Sequence, residues 1–228
     1  MSLKILYEDN QLIVAVKPAG VLSQSDGTDK ADMLTIIKDY VKVKYDKPGA
    51  VYIGLVHRLD ANVGGVMVFA RTSKAAARLS EAIRDHEFAK RYYAVVEGAI
   101  PVGTSGTLID RLSKDETART AIIVADDAGR EAVLDYTSLG IVRKDARDRT
   151  LVDVKLHSGR FHQIRAQFAN AGHPLVGDTK YGGAPAGRAV LALHAVELSF
   201  EHPVTGAQLV FRDLPTSGPF AKFKIPAL

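Results

Sequence analysis

The chain has 228 residues, 46% hydrophobic and 25% charged, with 30 Lys and Arg against 26 Asp and Glu for a net charge of +4. That balance belongs to a folded chain with a sizeable core and not to a disordered one, and the absence of cysteine excludes disulfide frameworks, thiol nucleophiles and Cys-ligated metal centres. No apolar run reaches the roughly 18–20 residues of a membrane span. The first ten residues lack the basic start and apolar stretch of a signal peptide, so a cytosolic chain is expected. The small cationic excess admits a polyanionic partner without demanding one.

Leu3, Ile5 and Tyr7 alternate with polar neighbours, Glu8-Asp9-Asn10 forms a turn, and Leu12–Val16 is a second apolar run, which together predict a hairpin. Lys17-Pro18-Ala19-Gly20 breaks it. Leu34, Ile37, Val41 and Tyr45 recur at helical spacing before Pro48-Gly49 stops the pattern. Val51–Val56 reads as a buried strand and Gly65–Ala70 as a second apolar run, with the polar turn His57–Gly64 between them. Thr72 or Ser73 caps a helix that carries Leu79, Ile83 and His86 on one stripe. Strand character returns at Tyr92–Val96, Ala121–Val124, Ala132–Tyr136 and Leu151–Leu156, while Arg111–Arg119 and Arg143–Arg149 read as charged surface loops. Gly159 precedes a helix over His162–Asn170, stopped by Gly172 and Pro174, and Val190–Phe200 with Gln208–Phe211 predicts a closing hairpin. With no repeat and no linker, residues 1–228 are expected to form one compact domain rich in strands.

Three constellations could carry chemistry. In His57-Arg58-Leu59-Asp60, extended geometry puts Arg58 and Asp60 on one side and Leu59 on the other. A nearby guanidinium keeps a carboxylate ionised as a base or nucleophile, although Arg-x-Asp is also the pattern of a structural ion pair. In Gly159-Arg160-Phe161-His162-Gln163-Ile164-Arg165, a glycine turn opens a helix, with His162 and Arg165 on one face and Ile164 and Phe168 on an apolar one. The same pattern fits a capped surface helix with a basic face. Gly172–Asp178 followed by Tyr181-Gly182-Gly183 is a tightly specified loop in which Asp178 caps the turn or pairs with a base. His157, His162, His173, His194 and His202 lack the spacing of a helical zinc pair. Walker, dinucleotide-binding and nucleophile-elbow signatures are absent.

Taken together and in order, His57–Asp60, Lys90-Arg91-Tyr92, Gly159–Arg165 and Gly172–Asp178 resemble the motifs of the RluA-type RNA pseudouridine synthases. Ile5–Asp9 with Val16–Gly20, and Leu193-His194-Ala195 with His202–Gly206, are similar to the beginning and end of that family, so the resemblance covers about residues 3–215. It implies an α+β fold with a mixed, largely antiparallel central sheet and flanking helices, no cofactor and no metal. It also implies a monomer acting on rRNA or tRNA. Asp60 matches the family's essential aspartate, Tyr92 the tyrosine that stacks on the target base, and Arg165 the arginine that pairs with the aspartate. Arg58 matches the arginine that fills the gap left by the flipped base, and His57, Arg160, His162, Gln163 and Ile164 fall in the segments that meet RNA. The chain departs from the pattern at Val63-Gly64-Gly65, where Thr-Ser-Gly is common, and at Gln167, often histidine. Because the catalytic part begins near residue 3, the small RNA-binding domain that often precedes this fold is expected to be missing. The readings left beside an isomerase are a non-catalytic RNA-binding module and a metal-independent hydrolase using Asp60 and Arg58.

Overall fold

A computed structural model describes residues 3–125, 128–144, 147–185 and 191–228. In chain order the elements are β1 (Lys4–Glu8), β2 (Leu12–Lys17), α1 (Met33–Lys44), β3 (Gly54–Leu55), β4 (Gly64–Ala70), α2 (Ser73–Arg84), β5 (Ala89–Glu97), β6 (Ser105–Asp115), β7 (Thr120–Ile123), β8 (Arg130–Lys144), β9 (Arg147–Leu156), α3 (Gln163–Asn170), β10 (Leu193–Glu201) and β11 (Gln208–Arg212). This is the α+β class the sequence predicts. Two compact units share these elements: Met1–Phe88 with Glu197–Asp213, and Ala89–Val196 with Leu214–Leu228.

In the first unit, Asp9 sets the predicted β1–β2 hairpin. Its carboxylate accepts the N–H groups of Gln11 and Leu12, each at 2.7 Å, and its own N–H reaches Leu12 O at 3.0 Å. β2 pairs with β1 on one edge and β4 on the other, both antiparallel. Leu12 to Ala15 and every residue of β4 are buried, which is why both segments read as continuous apolar runs and not as alternation. Asp32 caps α1 by accepting Thr35 N–H at 3.0 Å, and Thr72 caps α2 by accepting Ala75 N–H at 3.1 Å. The stretch 51–56 is less regular than its composition suggests, since only Gly54–Leu55 pairs with β4. His86 lies beyond α2 in left-handed backbone, φ 61°, so it is not on the helix stripe.

Ala75 and Leu79 of α2 pack on Leu12, Val14, Val66 and Val68, and Phe88 stacks on Phe200 with centroids 4.8 Å apart. The predicted C-terminal hairpin, β10–β11, completes this unit; Val190 lies outside the described residues. His202, following β10, accepts the N–H groups of Val204 and Thr205 on Nδ1, so its Nε2 carries the proton and donates to Asp9 at 2.9 Å. Asp9 therefore fastens the first hairpin to the last turn.

In the second unit β5, β9, β8, β6 and β7 form an antiparallel succession. Arg111–Arg119, expected as a loop, is mostly the β6–β7 hairpin, whose turn is closed by Asp115 accepting Thr117 and Ala118 N–H at 2.9 Å. β6 alternates between more and less exposed residues, so its strand signal sits in polar residues on a solvated face. The other expected charged loop, Arg143–Arg149, falls largely in β8 and β9, with residues 145–146 outside the described ones. The tail residues Phe220, Phe223 and Ile225 pack against Tyr93, Val95 and Val176. Among the described residues no helix is long and apolar enough to cross a membrane.

Leu79 is 1% exposed in the first unit's core. Leu79→Ala is expected to cost about 2–5 kcal/mol in a urea unfolding series, against less than about 0.5 kcal/mol for the exposed Glu81→Ala.

Candidate active site

Asp60 sits in a loop of the first unit whose backbone is clamped on both flanks. On one side the buried Ser23 donates its hydroxyl to Leu59 O at 2.7 Å and accepts Leu59 N–H at 3.1 Å. On the other, Ala61 O accepts from Gly20 N at 2.8 Å and from Lys17 Nζ at 2.9 Å, while Val63 N–H returns to Asp60 O at 3.0 Å. The backbone on both sides of Asp60 is thus fixed by hydrogen bonds. Leu59 is buried and Arg58 exposed, the alternation expected of extended geometry.

His57 follows the short β3 and continues its work with a side chain. Its Nε2 accepts Val68 N–H from β4 at 3.0 Å, one position along from the Leu55–Phe69 pairing, so that nitrogen is unprotonated. The departures at Val63 and Gly64 lie inside the protein, Val63 being 2% exposed; they alter packing and not a surface.

Lys17 was not singled out by the sequence reading. It ends the buried strand β2, is itself fully buried, and donates to Pro18 O at 3.1 Å as well as to Ala61 O. Burial pulls its pKa down to about 8, against a smaller upward pull from the Asp60 carboxylate. At neutral pH it is therefore a charged group, bound to the backbone that flanks Asp60. A lysine closing an otherwise apolar strand was the available signal.

The remaining candidates belong to the second unit. Tyr92 lies on β5 opposite Val154, 9% exposed, on the same strand face as Lys90, whose pKa burial lowers. Arg91 and Tyr93 turn to the opposite face. Arg91 forms a forked ion pair with Asp153, and Tyr93 enters the core.

The basic-surface reading of α3 is corrected by the structure: Gln163 to Phe168 are all buried. Arg165 is held by Asp178, Nε to Oδ2 at 2.7 Å and Nη2 to Oδ1 at 2.8 Å. Its Nη1 donates to His162 Nε2 at 2.8 Å. Since arginine only donates, His162 is neutral with its proton on Nδ1, directed at Tyr181 OH 2.9 Å away. His162 takes left-handed backbone, φ 51°, and no side chain caps the helix there.

Gln163 braces the preceding turn. Its Oε1 accepts from Ser158 Oγ and Arg160 N, and its Nε2 donates to Val133 O. Ile164 is 4% exposed, and Arg160 is tied through Nε to Glu131 O at 2.9 Å. Gln167, the other departure, donates to Asp110 and to Ala132 O, joining α3 to β6 and β8. The 172–178 segment is as tightly specified as expected. Val176 N–H bonds Val95 O and Asp178 N–H bonds Leu175 O, and a Cβ on Gly183 would meet Leu175 O at 2.1 Å.

This geometry can be set beside known proteins. The RNA pseudouridylate synthase family model matches residues 11–170, so the chain belongs to the RNA pseudouridylate synthase family. It is 37% identical over 228 residues to the ribosomal large subunit pseudouridine synthase D of Vibrio cholerae, covering 92% of this chain and 67% of that protein. To the protein of the same name from Yersinia pestis it is 35% identical over 222 residues, covering 91% of this chain and 65% of that one. The chain thus spans about two thirds of the length of these relatives. The fold is that of human RNA pseudouridylate synthase domain containing 1, at TM-score 0.73 and 22% identity over 94% of this chain and 84% of that one.

Two outcomes are expected. Below pH 8 the fold carries the cost of a buried ammonium, and stability rises as pH climbs from about 8 toward the unfolded value of 10.5. Wild type should therefore gain about 3 kcal/mol on Lys17→Met between pH 7 and 10.5 in parallel urea titrations. Asp178→Ala leaves the buried Arg165 guanidinium without its carboxylate and should cost about 3–5 kcal/mol. Arg165→Met combined with Asp178→Leu should recover most of that loss.

Proposed function

We propose that the protein isomerises uridine to pseudouridine in RNA, with Asp60 as the group that attacks or deprotonates the nucleoside. The observation that carries this reading is the clamped Asp60 loop, with the buried Lys17 ammonium bound to the carbonyl of the residue that follows the aspartate. Isomerisation breaks the N1–C1′ bond of uridine, turns the uracil and joins its C5 to C1′; the C5 hydrogen leaves as a proton and N1 takes one up. An ionised carboxylate serves either as nucleophile or as base at the sugar.

A uracil inside a helix must first be flipped out, at a cost of a few kcal/mol. Stacking on an aromatic ring offsets about 1–3 kcal/mol of that, the role we assign to Tyr92. Arg58, exposed next to Asp60, fills the vacated stack. Arg165, oriented by Asp178 and His162, acts on the aspartate's side of the reaction. Arg160 and His57 contact the strand, while Gln163 and Ile164 act by holding the 158–165 segment in shape. Residues 1–228 serve as one catalytic domain, and large-subunit ribosomal RNA is the substrate that the names of the similar proteins favour.

Tritium release from such RNA labelled at uracil C5 tests the reaction. Wild type should release it and Asp60→Asn should retain less than about one-thousandth of the rate while still binding RNA; release at the wild-type rate by Asp60→Asn would refute the assignment. Base flipping is read separately by single-turnover rates on a structured RNA and an unpaired one. Arg58→Ala should slow the structured substrate more, and Tyr92→Ala should slow both; an equal slowing by Arg58→Ala would give Arg58 a different task.

A further inference from the structure

The second unit carries a concave pocket of about 480 Å³ between the β6–β7 hairpin and the turn before α3, with Arg160 in its wall. That volume falls in the range of small-ligand sites. Among the described lining residues the charged ones are Lys114, Arg130 and Arg160, all cationic, and the aromatic one is Phe161. Phe161 is 40% exposed although its ring is large and apolar. It lies against the His162 ring, centroids 3.8 Å apart and planes at 18°, while Lys114 Nζ stands 5.5 Å from its centroid. The floor is rigid: Arg111 donates to Gly129 O at 3.0 Å, and a Cβ on Gly129 would meet Val124 at 2.6 Å and Leu112 backbone at 3.0 Å.

We propose that this pocket holds one nucleotide of the substrate strand flanking the target, its base on Phe161 and its phosphodiester on Lys114 and Arg130. The inference rests on the RNA-modifying reading above and extends it to a subsite. Among the described residues Lys114 pairs with Glu116 at 2.6 Å, with side chains 45% and 76% exposed. Exposed pairs of this kind are worth little and exchange readily, so Lys114 can move to a phosphate. Asp115 is engaged by the turn N–H groups of Thr117 and Ala118. The subsite is continuous with the Arg165 network, because Phe161 stacks on the His162 that accepts from Arg165. A base held on Phe161 and the orientation of Arg165 are then linked through one imidazole ring.

Salt titration of binding to a single-stranded uridine-containing RNA separates the two contacts. Lys114→Gln with Arg130→Gln should reduce the slope of log affinity against log salt by about 0.7, the contribution of one phosphate contact on a single strand. Phe161→Ala should weaken binding about fivefold or more with the slope unchanged, and Phe161→Tyr should restore it, because only the stacking face is at stake. A wild-type slope in the double variant, or wild-type affinity in Phe161→Ala, overturns the proposal. Uridine monophosphate is the second probe. Binding of the free nucleotide as tight as that of the RNA would mean a mononucleotide site and overturns it as well. Tritium release by the wild-type chain distinguishes the outcomes: with release intact, failure of these variants removes the subsite alone, whereas absent release removes the isomerase reading.

Discussion

Everything proposed for Asp60 depends on one buried ammonium. Lys17 leaves the end of β2 fully buried, and its donors satisfy carbonyls at the exit of its own strand and on the far side of the Asp60 loop. A charge so placed is costly, and the fold tolerates it because two carbonyls and a carboxylate share it. The loop gains position from the same group: Ala61 O is fixed by Lys17 and Gly20, Leu59 by Ser23, and Asp60 lies between two immobile peptides. Preorganisation of this kind puts the cost of ordering the carboxylate into folding, before any RNA arrives.

The second unit solves a similar problem with a different set of groups. Arg165 is buried in a short helix, and a guanidinium there must have its donors satisfied. Asp178 supplies the counter-charge in a forked geometry, and His162 supplies a neutral acceptor whose tautomer is fixed by the donation it receives. The histidine thus bridges Arg165 and Tyr181 through its two ring nitrogens. Tyr181 receives both the His162 proton and the Ala121 N–H at 2.6 Å, which extends the network from α3 to β7.

Much of this was legible before any coordinates. The first and last hairpins, the Thr72-capped α2 and the continuous apolar runs of β2 and β4 follow from turn chemistry, helical spacing and composition, whereas the Asp32 cap of α1 emerges only in the structure. Asp60, Arg58, Tyr92 and Arg165 were selected by the co-occurrence of short motifs, each weak alone. What the pattern hid had physical causes. β6 is strand-forming on a solvated face, so its alternation is carried by charged and polar residues. The burial of α3 was hidden because Gln163, Arg165 and Gln167 place polar atoms inside and satisfy them there. Lys17 was read as punctuation after a strand, since residue identity alone does not say whether an ammonium faces water or a carbonyl.

The order of the chain imposes its own consequence. The first unit begins at the N-terminus but lacks Leu198, Phe200 and the His202–Asp9 bond until residues 197–213 return to it. The second unit in turn takes Phe220 and Phe223 from the final segment. During synthesis neither core can close before the residues that complete it, 197–213 for the first unit and 214–228 for the second, have emerged. Up to that moment β2 and β4, the most apolar strands of the first unit, lack the partners that finish its core. A nascent chain of this design stays dependent on protection from aggregation until residues 197–225 are available, and a truncation before residue 197 would leave both units open and not merely shorten one.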